Sequence, residues 1–246
     1  MIVQIYEIQE PGEAAVMAEC GVDHIGGVVL SMSDWKIPAL RDSVSVIREA
    51  GRKSSIIPLF ADPESVCRVI DWYRPDIIHF CDALNEGSRV REEAVHAAIA
   101  LQAGVRERFP TVEIMRTIPI ATPGSGHLVP TLELGRRLAA ASDWFLTDTL
   151  LVGGAEQPVD GHIGITGKTC DWRMAADLVR ESSIPVILAG GLSPENVGEG
   201  LRATSPAGAD TCTATNLLDG EGRPIRFRKD PGKVRRFVEA CRTGSV

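Results

Sequence analysis

Short apolar runs alternate with longer segments of helical periodicity along the whole 246-residue chain, and this rhythm constrains the fold more than any other feature. In the first half the runs are Ile2–Tyr6, His24–Leu30, Ser55–Phe60 and Asp76–Phe80. Helical segments follow them at Glu13–Cys20, Ser43–Ala50, from Asp62 onward, and at Val90–Arg108. The second half repeats the pattern with runs at Val112–Ile120, Asp143–Thr149, Pro185–Gly191 and Gly208–Ala214. Its helical segments are Thr131–Ala141, from Trp172 onward, Ser193–Ala203, and a last one that puts Val234, Phe237, Val238 and Cys241 on one stripe. Asp62-Pro63 and Ser193-Pro194 have the chemistry of helix starts, a capping side chain followed by a residue that needs no amide donor.

Strands that alternate with helices pair in parallel through right-handed crossovers. Eight such units at this length predict an α/β protein with one (β/α)8 (TIM) barrel over residues 1–246. An open doubly wound sheet fits less well, because no G-x-G-x-x-G follows the first strand. Composition agrees with a globular domain: 44% of residues are hydrophobic and 24% charged. A net charge of −7 argues against nucleic acid as a partner. No run is long enough to span a bilayer, and the first ten residues lack the basic head of a signal peptide. Cys20, Cys67, Cys81, Cys170, Cys212 and Cys241 form no C-x-x-C pair and no metal-ligand spacing. The expectation is a cytoplasmic protein, monomer or homodimer, with buried thiols, no metal or other cofactor, and a phosphorylated small-molecule substrate.

The stretch GHIGITGKTCDW, Gly161 to Trp172, ends a glycine-rich run in Gly-Lys-Thr, as a nucleotide-binding P-loop does. The spacing fails. The pattern requires glycine five residues before Gly167, and His162 stands there; nor does the loop leave a strand directly. In a barrel it instead follows the sixth strand, on the face where βα loops build active sites. Phosphate sites there use loops seven and eight, whose backbone amides and helix N-terminus attract anions. Gly190, Gly191, Thr213, Ala214 and Gly167 are therefore the candidate cradle. Gly190-Gly191 can equally serve only a tight turn, and Lys168 stands either at the phosphate or in solvent.

Several ordered motifs make the chain similar to the phosphoribosylanthranilate isomerase family. LAGGLSPENV resembles the family's strand-seven motif, and GKTCDW its G-[TS]-G-K-x-F-[DN]-W loop. FLTDT resembles the strand-six motif, and FRKDPGKVRRFVEACR the closing segment. IPLFADPESV and PDIIHF correspond to the third and fourth units. The resemblance implies a barrel of tryptophan biosynthesis that converts a phosphorylated aminoaldose to an aminoketose. A general acid protonates the ring oxygen and a base takes the C2 proton. It matches the acid to Asp148. The family's base is a cysteine in K-I-C-G-I, where this chain has Gln4-Ile5-Tyr6-Glu7-Ile8. Other departures are Ser33-Asp34-Trp35-Lys36 for S-P-R-Y, His79-Phe80-Cys81-Asp82 for Q-L-H-G, and Cys212-Thr213-Ala214-Thr215-Asn216 for S-S-G-V-E. Ala214 replaces a glycine and narrows the cradle.

Alternation along the strands predicts inward side chains at Gln4, Tyr6, His79, Cys81, Arg116, Leu146 and Asp148. Asp148 and Arg116 are expected to pair, as a structural salt bridge or as an acid tuned by arginine. At pH 7 roughly a thousandth of an ordinary tyrosine is ionised, so Tyr6 acts as base only if a neighbour such as Arg116 lowers its pKa. His79 reads as a base, a substrate-positioning group or a satisfied core residue, Cys81 as a nucleophile or a buried thiol, and Glu7 as solvent-facing. The polar insertions at 122–128 and 153–163 are candidate lids or surface excursions. Three functions remain open: a divergent isomerase on a phosphorylated sugar-like metabolite, a non-catalytic phosphate-ligand barrel, and the tryptophan-pathway isomerase with substitute residues.

Overall fold

Each apolar run becomes a barrel strand. A computed structural model describes residues 1–153, 155 and 157–244. The strands are β1 (Ile2–Ile5), β2 (His24–Val29), β3 (Lys53–Pro58), β4 (Ile77–Phe80), β5 (Glu113–Ala121), β6 (Trp144–Leu150), β7 (Val186–Leu188) and β8 (Gly208–Thr211). All pair in parallel with their sequence neighbours, and β1 pairs with β8 to close the barrel. The helices are α1 (Pro11–Glu19), α2 (Pro38–Glu49), α3 (Pro63–Tyr73), α4 (Glu92–Arg108), α5 (Thr131–Leu138), α6 (Trp172–Glu181), α7 (Val197–Thr204) and α8 (Pro231–Thr243). Short antiparallel hairpins, Asn85–Glu86 with Arg89–Val90 and Asn216–Leu218 with Pro224–Lys229, decorate the fourth and eighth βα connections. The expected (β/α)8 barrel is present; residues 154, 156, 245 and 246 lie outside the described residues.

The sequence signals at the helix starts act mostly as expected. The Asp62 carboxylate accepts from the Ser65 amide at 2.9 Å, and Asp171 and Asp230 cap α6 and α8 in the same way. The Ser-Pro start is the exception: α7 begins at Val197, not Ser193. Residues 193–196 form a turn in which Asn196 accepts from the Ser193 amide and donates to the Gly191 carbonyl.

Side-chain parity decides what reaches the barrel axis. Met115 and Thr117 of β5 face inward: Thr117 Oγ1 lies 2.8 Å from His79 Nε2, and Met115 Sδ contacts Tyr6 and Gln4. Arg116 lies between them and must point the other way. It sits opposite Phe80, which packs among the helix residues Val66, Ile70 and Leu101. The expected inward Arg116 is thus one residue out of register. Its guanidinium is 1% exposed and grips Asp82, with Nη1 at 2.7 Å and Nη2 at 3.0 Å from the carboxylate. No Asp148–Arg116 pair forms; burial of the outer face of β5 required a partner, and Asp82 at the end of β4 supplies it.

Candidate active site

The inward positions of successive strands converge at the C-terminal mouth. Asp148 of β6 and Asp210 of β8 face the same space, with Tyr6, His79, Cys81, Leu146 and Cys212 around them. Burial pushes the Asp148 carboxyl up to about 6, against one bond that its Oδ1 accepts from the Thr149 amide at 2.7 Å. Burial also pushes Asp210 up, to about 8, and the charge of Asp148 adds to the rise, while Gln4 and Lys229 oppose it. Asp210 Oδ1 is buried without a hydrogen-bond partner. Two carboxyls in one poorly hydrated site hold about one proton between them at neutral pH, and titrate as a pair. The chemistry available is one acid and one base at once.

Tyr6 occupies the centre of the mouth. Its hydroxyl lies 2.7 Å from both Ser55 Oγ and His79 Nδ1, and its ring covers Gly26, where any Cβ would overlap it. Burial raises the phenol well above its usual 10, and Arg116 plays no part. The condition under which Tyr6 could act as base is therefore not met, because the Arg116 cation is on the other side of the strand. His79 is neutral, pushed down to about 3 by burial and by Arg116, with both ring nitrogens engaged by Tyr6 and Thr117. It braces the mouth and has no nitrogen left for a ligand. Cys81, pushed up to about 12 by burial and Asp82, remains a thiol.

Glu7 corrects a second expectation. It is 2% exposed, not solvent-facing, and lines the mouth beside Tyr6. Its backbone is left-handed (φ +67°), a conformation that favours glycine and costs another residue on the order of 1 kcal/mol. Arg226 of the 216–229 hairpin donates to Glu7 Oε1 at 2.7 Å from Nε.

Beside the carboxyls lies a second cavity of about 180 Å³, lined by Gly167, Gly190, Gly191, Thr213 and Ala214. All five candidate cradle residues are thus brought together, and Asp148, Asp210, Ile165 and Cys212 border both cavities. Gly190 and Gly191 are left-handed (φ +95° and +60°), and a Cβ on Gly191 would come within 2.5 Å of the Thr169 amide. The strand-six loop therefore lies directly on the strand-seven turn, and Thr149 Oγ1 fixes it by donating to the Lys168 carbonyl at 2.6 Å. Lys168 itself is exposed, whereas Lys233 of α8 lines the cradle. Gly191→Ala should displace the 166–169 segment and weaken inorganic phosphate at least tenfold by titration calorimetry. Unchanged affinity would dissociate the cradle from phosphate.

The inner chamber is small, about 60 Å³, because residues 159–165 fold back across it. The Ile163 amide donates to the Cys81 carbonyl at 2.9 Å and the Ala83 amide to the Gly161 carbonyl at 2.8 Å. Gly164 (φ +113°) lies so close above the Asp148 carboxyl that any side chain there would overlap it. The 122–128 insertion borders neither cavity and instead joins α6 through Gly124 and Asp171. Among the described residues no three His, Cys, Asp or Glu side chains are placed to hold a metal ion.

Residues 143–240, which carry both carboxyls and the cradle, match the family model for N-(5'-phosphoribosyl)anthranilate (PRA) isomerase. A Methanosarcina mazei protein named N-(5'-phosphoribosyl)anthranilate isomerase 2 is 28% identical, over 98% of this chain and 94% of its own. Over these lengths the chain is similar to phosphoribosylanthranilate isomerases. A Rhodopseudomonas palustris isomerase is also 28% identical, over 94% of this chain and 89% of its own. Solved isomerases of the family share the fold. That from Pyrococcus furiosus superposes with a TM-score of 0.66 at 22% identity, covering 99% of each chain. That from Thermotoga maritima gives 0.68 at 17% identity, over 99% of this chain and all of the other. Three residues that line the cavities are not among the candidate site residues read from the sequence: Asp210, Glu7 and Lys233. Asp210 was readable from its even register with Gln4, which it faces across the β1–β8 pair. The one sequence sign for Glu7 is that it stands where the resembled K-I-C-G-I motif has glycine, the residue that a left-handed backbone favours.

Proposed function

We propose that this barrel isomerises a phosphorylated aminoaldose to the corresponding aminoketose, using the Asp148–Asp210 pair in place of the family's cysteine base. The observation that carries this reading is the pair itself: two buried carboxyls with raised pKa values, bordering both the inner chamber and the glycine cradle. A substrate whose phosphate rests at Gly190–Gly191 and Gly167 would have its sugar over the two carboxyls. The protonated carboxyl gives its proton to the ring oxygen, the ring opens to an iminium, and the other carboxylate removes the C2 proton. The resulting enamine tautomerises to the ketose. Atoms balance, and no co-reactant is required. A positioned acid or base contributes about 10²–10⁴-fold in such transfers.

The direct test assays the purified protein on N-(5-phosphoribosyl)anthranilate and on its carboxamide counterpart, since three acidic side chains line the chamber that would receive the N-substituent. Turnover well above an Asp148→Asn background supports the proposal. Tight binding of a sugar phosphate with no turnover favours the second reading, a ligand-binding barrel, which the plugged base position at Tyr6 recommends.

Tyr6→Phe separates the roles further. It should keep kcat within about tenfold of the parent, since a phenol held far above neutral pKa transfers no proton at pH 7. It should lower stability in urea by roughly 1–2 kcal/mol through the lost bonds to Ser55 and His79. A hundredfold loss of kcat with stability intact would restore Tyr6 to the chemistry.

A further inference from the structure

The inner chamber is unusual in its charge. Glu7, Asp148 and Asp210 all line it, and neither lysine nor arginine does among the described residues. His162 lies at the rim, its Nδ1 2.9 Å from the Asp160 carbonyl. Behind the chamber wall, Arg226 spends its guanidinium on Glu7, with Nε and Nη2 both directed at Oε1, and buried Lys229 donates to Asn216 Oδ1 and to the Cys212 carbonyl. Glu7 Oε2 is buried with no hydrogen-bond partner. Its neighbour Cys212 offers only a thiol, a weak donor.

A buried acceptor without a donor is costly, and so is a glutamate held left-handed. A plain surface tie between the hairpin and the barrel would need neither. Both costs are understandable if a ligand supplies the missing donor. We infer that Glu7 is a specificity residue: its free carboxylate oxygen accepts a hydrogen bond from a hydroxyl or N–H donor on the non-phosphate end of the ligand. The site therefore selects a neutral or cationic group there and rejects a carboxylate.

This inference rests on the proposed function for its orientation, with phosphate in the cradle and the remainder of the ligand in the inner chamber. It deepens that reading by naming the substrate class: a phosphorylated aminosugar whose N-substituent presents a donor. A carboxylate in the same place would meet three acidic side chains, while Arg226 and Lys229 are already engaged by Glu7 and by Asn216 and the Cys212 carbonyl, and like charges at close range strongly disfavour a partner.

The test compares two stable product analogues, the 1-(o-carboxyphenylamino)- and 1-(o-carbamoylphenylamino)-1-deoxyribulose 5-phosphates, which differ only in carboxylate against primary amide. Binding is measured by titration calorimetry to the full chain. The amide is expected to bind at least tenfold more tightly. Glu7→Gln, which keeps size and removes charge, should reduce the preference to within about threefold. Glu7→Gly accepts the left-handed backbone without strain, so it guards against misfolding and should lose the preference equally. Equal or tighter binding of the carboxylate, an unchanged preference in both variants, or no binding of either compound overturns the inference. Turnover is read separately. A retained amide preference without catalysis leaves the Glu7 assignment standing and removes only the isomerase proposal.

Discussion

Asparagine at position 148 is expected to cut kcat/KM by about 10²–10⁴-fold while phosphate binding in the cradle stays near that of the parent. Asparagine at 210 should cost a similar factor, and the double variant little more than either single one, because a shared proton makes the two carboxyls one device. In the parent, kcat/KM should fall below about pH 6, where both carboxyls are protonated, and above about pH 8, where neither is. Additive losses, or a profile flat from pH 5 to 9, would remove the pair from the mechanism. Stability should move in the opposite sense. Both folded pKa values are raised, so the folded chain holds protons that the unfolded chain releases between about pH 4 and pH 8. Stability therefore declines as pH rises through that interval. Asp210→Asn abolishes that decline for its own group and should unfold at higher urea than the parent at pH 8, but not at pH 4. A gain at both pH values alike would point to packing rather than ionisation.

Replacing Arg116 with methionine should cost about 3 kcal/mol of stability, among the largest single-site effects in this barrel. The variant keeps the apolar stem against Phe80 but strands the Asp82 carboxylate, which Arg116 holds below the usual carboxylate range against the rise from burial. Asp82 is partly reached by water, at 27% exposure of its side chain, which limits the penalty. It also forms a bridge with His162 in the segment that folds over the chamber. Proteolysis within 159–165 should therefore quicken in the same variant. Urea unfolding measures the first effect and limited digestion the second; a loss under 1 kcal/mol would mean that Asp82 rehydrates freely.

The eight-unit alternation carried the fold because each unit is local: an apolar run, a turn, and an amphipathic helix. Parity was harder. β5 is buried on both faces, so Met115-Arg116-Thr117 offers no apolar-polar alternation from which to read direction. The most polar residue of the three suggested the pocket, yet it serves the helix side. The cradle was legible, because Gly190 and Gly191 mark positions where backbone must approach backbone. The inward direction of Asp148 was legible from strand parity, and Asp210 beside it was overshadowed by the altered residues that follow it. Glu7 was legible only in part: it stands where the resembled K-I-C-G-I motif has glycine, and the folded turn after β1 shows the glutamate keeping the backbone angle suited to glycine and turning inward rather than to solvent.

One nucleotide separates a tyrosine codon from a cysteine codon, so the family's base at position 6 lies a single mutational step away. The packing around the phenol makes that step poor in both directions. A cysteine there would leave an empty space over Gly26 and would deprive Ser55 and His79 of a shared partner. Cysteine at position 6 is thus close in the genetic code and distant in the fold. A working cysteine there would require several neighbours to change together, so the mouth is fixed by the packing around the phenol more than by the identity of one residue.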